Sequence, residues 1–292
     1  MNIVPSSNAQ RLSLGRIFIY AVIVGFAALY LAPLYVMLST SFKDIEEIRS
    51  GNLLSLPVAP SFYAWSKAWS SACTGSECQG LAPYFWNSVR IVVPAVLIST
   101  LIGALNGYVL SKWRFKGSDL LFGALLFGCF LPFQVVLLPM ARLLASLGLA
   151  NTVTGLVLVH VIYGLAFTTL FFRNFYLSVP TELVRAAKLD GAGFFAIFRH
   201  IFLPLSLPIF MVTLIWQFTQ IWNDFLFGVV YSGTGTQPIT VALNNLVNTS
   251  VGGKEYNVDM AAALIAAAPT LLVYVLAGKY FVRGLTAGAV KG

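Results

Sequence analysis

The chain of 292 residues is strongly apolar: 58% of its residues are hydrophobic, 10% are charged, and the mean hydropathy is +0.83. Ordinary soluble domains carry about 25% charged residues, so the composition excludes that class and indicates a protein that crosses a membrane several times. The net charge of +8 does not gather into a basic patch with interleaved aromatic residues, and we expect no nucleic-acid partner.

Six apolar stretches are long enough to cross the hydrocarbon layer, which takes about 20 helical residues. They are Ile17–Ser39, Val89–Leu110, Leu120–Met140, Thr152–Phe172, Ile201–Val230 and Met260–Phe281. The first is too long for the apolar part of a signal peptide and lacks a small-residue cleavage site, so we expect it to remain as the first span. The sequence therefore predicts an all-α, polytopic protein with one six-helix transmembrane domain over residues 17–281.

An even number of spans places both termini on the same side of the membrane. With the termini in the cytoplasm, twelve of the 18 Lys and Arg residues lie inside and the other six outside, the asymmetry of the positive-inside rule. This orientation predicts cytoplasmic segments 1–16, 173–200 and 282–292, and external loops at about 40–88, 141–151 and 231–259.

The first external loop carries two of the three cysteines, Cys73 and Cys78, separated by four residues. In an oxidising compartment they are close enough in sequence to form a disulfide. A metal site would need further ligands, which this part of the sequence does not supply, so we expect no metal. The third cysteine, Cys129, lies within a span and is expected to pack as a small apolar residue.

The middle spans contain five residues that are informative in an apolar helix. Gly103 and Gly107 form a G-x-x-x-G pair, which lets another helix approach closely. Pro132 interrupts the third span two residues before Gln134, so this part either lines a solute path or is a kink packed against neighbouring helices. His160 has no charged partner in its own span, which favours an interhelical hydrogen bond over a proton relay.

Polar residues in the fifth span recur at helical spacing. Thr213, Gln217, Gln220 and Asp224 fall at i, i+4, i+7 and i+11, with Asn223 adjoining them, and the pattern predicts one polar stripe along an apolar helix. Such a stripe must face protein or water. Two interpretations stay open: lining of a translocation path, or hydrogen bonding to helices of a partner subunit.

The longest polar and basic reach between spans, residues 180–208, predicts a docking helix. Pro180 and Glu182 suit the first turn of a helix and Gly191 suits its C-terminal cap. The spacing places Leu183, Ala186, Ala187 and Asp190 on one face, apart from Arg185 and Lys188. The alternative is an ordinary amphipathic helix on a membrane surface.

This segment resembles the cytoplasmic "EAA" loop of the membrane subunits of bacterial binding-protein-dependent ABC importers. The matching residues are Glu182, Leu183, Ala186, Ala187, Asp190, Gly191, Ala192, Phe198, Ile201, Leu203, Pro204 and Pro208. Arg185 departs from the pattern, because the family usually has an acid there. The runs IWNDFLFG and KYFVRGLTAGAVKG are also similar to the second membrane subunit of maltose-type carbohydrate importers.

The resemblance implies a type I ABC importer permease fold in a bacterial inner membrane. It implies a homologous second permease subunit, two ATP-binding subunits docked on Glu182–Ala192, and an extracytoplasmic sugar-binding protein. Thr213, Gln217, Gln220, Asn223, Asp224 and Gln134, singled out above, are then the candidates to line the path of the solute, and the resemblance leans toward a sugar, glucose or mannose. The alternatives are a non-sugar ABC importer and an ion-coupled secondary transporter, which commonly has ionisable residues near the membrane midplane.

Catalytic motifs are missing from the sequence. There is no G-x-x-x-x-G-K-[ST] phosphate-binding loop, no H-E-x-x-H and no G-x-S-x-G. We therefore expect a non-catalytic subunit with no cofactor of its own, whose partner ATPases bind ATP and Mg²⁺.

Overall fold

The computed structural model describes residues 14–249 and 253–289, in which the regular secondary structure is helical apart from one isolated bridge between Thr74 and Glu77. Of the predicted terminal segments, residues 1–13 and 290–292 lie outside the described residues. The helices are α1 (Leu14–Ser41), α2 (Ile45–Ser50), α3 (Tyr63–Ser70), α4 (Ala82–Lys112), α5 (Ser118–Phe130), α6 (Phe133–Ser146), α7 (Val153–Leu177), α8 (Thr181–Leu189), α9 (Phe194–Ile197), α10 (Leu203–Leu205), α11 (Leu207–Trp222), α12 (Leu226–Tyr231), α13 (Ile239–Asn248) and α14 (Tyr256–Ala289). A π-helical turn, Phe198–Phe202, connects α9 to α10.

Four helices are long and apolar enough to cross a membrane: α1, α4, α7 and the part of α14 from Tyr256 to Gly278. Two bent pairs, α5 with α6 and the α9–α10 segment with α11, pass the same test when each is taken as one span. The described residues thus supply up to six spans, which is the predicted number. The segment 282–289, predicted as the start of a tail, continues α14 as helix.

The third predicted span is broken and not merely kinked. Between α5 and α6 the chain turns by 105°, because Leu131 has an extended backbone (ψ 122°) and Pro132 follows it. A residue before proline is driven out of the helical region. Helix α6 then runs on to Ser146, well into the stretch 141–151 that was predicted as an external loop.

The fifth predicted span, Ile201–Val230, is also divided. The chain bends by 76° between α10 and α11, and Ser206 at this bend is fully buried, donating a hydrogen bond to the hydroxyl of Tyr176 at 2.8 Å. Helix α11 ends at Trp222, and α12 starts at Leu226 as a separate short helix. The helix of this span therefore ends at Trp222, before the predicted end at Val230.

The two predicted glycines bring α4 and α7 into close contact. A Cβ at Gly103 would lie 2.9 Å from the carbonyl carbon of Thr168, and one at Gly107 would lie 2.6 Å from Cβ of Phe172. The hydroxyl of Thr168 donates to the carbonyl of Ser99 at 3.0 Å across the same contact. The G-x-x-x-G pair thus serves packing within the chain, and the main core forms around α4 and α7.

The long loop after α1 is folded onto the ends of α4 and α14. Ala64, Ala68, Leu81, Leu246 and Val258 belong to one buried apolar cluster that joins α3, α13 and α14. Cys73 and Cys78 form a disulfide in this region. Nearby, Lys67 is hydrogen-bonded and ion-paired with Glu255, and this bond raises the pKa of Lys67. We refer to this side of the molecule as the α3–α13 end.

Candidate functional site

Helix α8 forms where the sequence predicts a docking helix. Pro180 precedes its first turn, and Gly191 follows its end with a φ of 79°, which glycine adopts at little cost. The carboxylate of Glu182 lies in the first turn, where a hydrogen bond from its own backbone N–H lowers its pKa. Pro180 is the N-cap and Asp190 the C-cap of α8. The helix therefore begins and ends within one residue or two of the predicted positions.

One face of α8 is attached to the body of the chain. Val184 is buried in an apolar cluster with Tyr108, Phe172, Tyr176 and Phe202, and Ala187 and Ala192 pack against the same cluster. Ala187, which was predicted on the docking face, is half-buried against this cluster, and its part in docking stays a prediction.

Two lysines strengthen this attachment. The ammonium of Lys112, the last residue of α4, donates to the carbonyl of Val179 at 2.6 Å. The ammonium of Lys188 lies 4.0 Å from the centre of the Trp113 ring, a cation–π contact. The first contact holds the chain just before α8, and the second holds α8 itself, against the end of α4.

The opposite face of α8 is exposed and apolar. Leu183, Ala186 and Leu189 follow each other at intervals of three residues, and Leu189 has 89% of its surface exposed. Phe195, just beyond the helix, is 73% exposed. Leu189 and Phe195 were not singled out from the sequence. Glu182, Arg185, Asp190 and Gly191 surround this apolar face and are exposed as well.

A second candidate site is a cavity of about 670 Å³ between the α5–α6 break, α7 and the α11–α12 segment. Its volume falls in the range of about 300–1,000 Å³ that is typical of small-molecule sites. Aromatic and amide side chains predominate in its wall. The lining residues on α7 and beyond include His160, Tyr163, Phe167, Trp216, Gln217, Thr219, Gln220, Asn223, Asp224, Phe225 and Phe227.

Thr213, Gln217 and Gln220 share one face of α11, but their surroundings differ along the helix. Thr213 is fully buried and its hydroxyl donates to the carbonyl of Ile209, one turn back. Gln217 is buried against Gly164 and donates to the hydroxyl of Ser99 at 2.6 Å, so only its edge reaches the cavity. Gln220 and Asn223 are exposed and line the cavity. Gln217 therefore joins α11 to α4 by a hydrogen bond, whereas Gln220 and Asn223 form part of the cavity wall.

Asp224 lies beyond the end of α11 and does not continue the stripe as a helical residue. Its carboxylate accepts hydrogen bonds from the backbone N–H groups of Phe227 (3.3 Å) and Gly228 (3.1 Å), at the start of α12. Nε2 of His160 lies 3.8 Å from Oδ2 of Asp224. His160 has no charged residue in its own span, and the carboxylate that it faces comes from another part of the chain.

Gln134 is not brought to the cavity wall. It is exposed on α6, whereas Leu131, Pro132 and Phe133 of the same break line the cavity. The turn of 105° directs the start of α6 away from the axis of α5, so proximity to Pro132 in sequence was a poor guide. Among the described residues, no group of three or more His, Cys, Asp or Glu side chains could hold a metal ion.

An exposed apolar helix between two spans and a cavity lined largely by aromatic and amide side chains are thus the two candidate sites of this membrane bundle. Residues 90–286 match the family described as the binding-protein-dependent transport system inner membrane component, and the chain belongs to this family. It is therefore a permease subunit of an ABC importer, which the sequence predicted.

Relatives match over nearly the whole chain. A probable ABC transporter permease protein of Pyrococcus horikoshii is 40% identical over 97% of this chain and 100% of its own length. A xylose/arabinose import permease protein of Haloferax volcanii is 34% identical over 96% of this chain and 95% of its own. A subunit of a bacterial ABC transporter that imports the acidic polysaccharide alginate has the same fold, with a TM-score of 0.79 and 22% identity over 96% of this chain and 100% of its own.

Proposed function

We propose that this chain forms half of the translocation path of an ATP-driven sugar importer, together with a homologous second permease subunit. The single observation that carries the proposal is the construction of α8: an apolar face of Leu183, Ala186 and Leu189 is exposed to the exterior, while the opposite face is fixed to α4 and α7. An exposed apolar patch rimmed by charges is typical of a protein–protein interface.

In this proposal α8 docks an ATP-binding subunit. Closure of two such subunits around ATP and Mg²⁺ would displace α8 together with the end of α4, since Lys112 and Lys188 tie the two elements. A rigid-body movement of this kind is a known way to switch a bundle between two arrangements. The chain carries no phosphate-binding loop of its own, which supports a non-catalytic role with the ATPase activity in partner subunits.

The orientation follows from charge. The twelve-to-six distribution of basic residues favours α8 and both termini in the cytoplasm, and the α3–α13 end outside. There a sugar-loaded binding protein would deliver its ligand. A disulfide between Cys73 and Cys78 fits this placement, because disulfides persist in oxidising compartments outside the cytoplasm.

Sugar is the proposed solute because the relative in Haloferax volcanii is described as a xylose/arabinose import permease, and because the cavity combines aromatic rings with amides. The lean toward glucose or mannose stays a prediction.

The test is reconstitution of the chain with its second permease, ATPase subunits and binding protein in lipid vesicles. We expect uptake that needs ATP and the binding protein, with ATP hydrolysis stimulated by a neutral sugar. Uptake driven by a proton or sodium gradient without ATP would indicate a secondary transporter. Stimulation by amino acids or ions and by no sugar would indicate an importer for another solute.

A further inference from the structure

The cavity contains a fixed aromatic surface. The indole of Trp216 on α11 packs against two rings of α7: its centre lies 4.7 Å from that of Phe167 and 5.5 Å from that of Phe171. Trp216 is half-buried and lines the cavity. A sugar ring carries C–H bonds whose weakly positive hydrogens are attracted to the negative face of an aromatic ring. Held by two neighbours, this indole loses little conformational freedom when a ligand binds.

Amide side chains follow Trp216 along the chain. Gln220 lies one helical turn beyond Trp216, Asn223 directly follows the last residue of α11, and all three line the cavity. Both amides are exposed to the cavity. An amide offers a carbonyl acceptor and two N–H donors, which suits hydroxyl groups that both donate and accept.

The charge of the wall selects among sugars. None of the described residues that line the cavity is Lys or Arg, and the acid among them is Asp224, whose two oxygens already cap α12. A carboxylate moved from water into such a site would lose its hydration without gaining a cation and would meet a like charge. An acidic sugar is therefore disfavoured, in contrast to the solute of the structurally similar alginate importer.

We propose that this subunit itself holds a binding subsite for a neutral sugar, with Trp216 beneath the sugar ring and Gln220 and Asn223 bonded to its hydroxyl groups. The proposal rests on the proposed function and names the subunit and the residues that contact the solute. The cavity of about 670 Å³ leaves room for a small saccharide.

A natural reporter is present, because Cys129 lines the same cavity and is the free cysteine among the described residues. In the assembled transporter, the rate of Cys129 modification by N-ethylmaleimide is followed by mass spectrometry of the peptide. The probes are xylose, arabinose, glucose and maltose as neutral sugars, and glucuronate as the acidic one. We expect the neutral sugar that best stimulates ATP hydrolysis to slow labelling several-fold, and glucuronate to leave the rate unchanged.

The second measurement is sugar uptake by variants of the residues in the proposed subsite. We expect Trp216→Ala to lower uptake at least about tenfold, and Gln220→Ala to lower it several-fold. Capture of sugar by the soluble binding protein, which is a separate chain, should be unchanged. The matched control is Trp86→Ala, which removes an exposed tryptophan of α4 outside the cavity. Trp216→Phe keeps an aromatic face and should retain most of the uptake.

The outcomes separate the two proposals. If no neutral sugar drives uptake by the unaltered transporter, the proposed function fails. If a neutral sugar is taken up but labelling of Cys129 does not change and Trp216→Ala transports normally, the subsite is wrong while the function stands. Equal protection by glucuronate would overturn the selection for neutral sugars, and protection that follows the detergent or lipid used would make the cavity a site for acyl chains.

Discussion

Nε2 of His160 lies 3.8 Å from Oδ2 of Asp224, which connects the middle of α7 to the chain between α11 and α12. The same carboxylate caps α12 through Phe227 and Gly228, and the carbonyl of Asp224 accepts a hydrogen bond from Thr240 at 2.6 Å. Asp224 thus joins three elements at the wall of the cavity.

Replacement of this carboxylate should loosen α12. Asp224→Ala removes the acceptor for two backbone N–H groups, and we expect a loss of about 1 kcal/mol in stability. Asp224→Asn keeps one acceptor oxygen and should lose less. Thermal unfolding of the purified complex measures both variants beside Asn223→Ala, an exposed neighbour. Equal stability of all three would show that the cap is not stabilising.

The close contact of α4 and α7 gives a prediction with a matched control. Gly103→Ala places a methyl group against the backbone of Thr168, and overpacking of this kind typically costs about 1–3 kcal/mol. Gly123→Ala, in α5, meets no atom within 4 Å and should be neutral or slightly stabilising. Unfolding of the two variants in a detergent titration compares them. A Gly103→Ala protein as stable as Gly123→Ala would mean that the two helices separate easily.

Two neighbouring alanines of α8 should behave differently. Ala186 is exposed, whereas Ala187 is half-buried against the body of the chain. We expect Ala186→Glu to abolish binding of the ATPase subunits while the permease pair keeps its stability, because the charge lies on the docking face alone. Ala187→Glu should lower stability as well, since it buries a carboxylate without a partner.

Co-purification of the ATPase subunits and thermal unfolding of the permease pair distinguish these results. Retention of full ATPase binding by Ala186→Glu would show that this face of α8 is not the docking surface.

The pair Cys73 and Cys78 should be isolated in the oxidised form. We expect mass spectrometry without reductant to find both thiols absent, and the double variant Cys73→Ser with Cys78→Ser to lose about 2 kcal/mol or less, because the loop between them is short. The backbone N–H of Gly75 inside this loop donates to the hydroxyl of Thr249 at the end of α13, so protease cleavage near α13 should become faster. Cys129→Ala serves as the control. Two free thiols in the isolated protein would refute the prediction.

Structural features that depend on one residue or on its near neighbours in sequence could be predicted. Pro180 and Gly191 bound α8 as expected, because a missing N–H and a positive φ are properties of single residues. The close approach at Gly103 and Gly107 was predicted for a similar reason: a missing side chain permits contact whatever the neighbour is.

Side-chain contacts with residues that are distant in the sequence could not be predicted. The polar stripe assumed that one helix continues through Asp224, but α11 ends at Trp222 and the carboxylate becomes a cap. Gln217 is directed inward by Ser99, 118 residues away, and His160 meets Asp224 only because α7 and α11 are adjacent. The direction in which Ala187 faces depends likewise on Val184 and the cluster beneath it.

Helix α1 has a consequence for how the chain is assembled. From Leu14 to Tyr35 its side chains are exposed, and burial by the rest of the described chain is found only at Ser39, Thr40 and Ser41. The first six turns therefore contribute little to the stability of the isolated subunit. We therefore expect damage to this part of α1 to leave the rest of the subunit folded and to reduce its insertion in the membrane or its assembly with a second subunit.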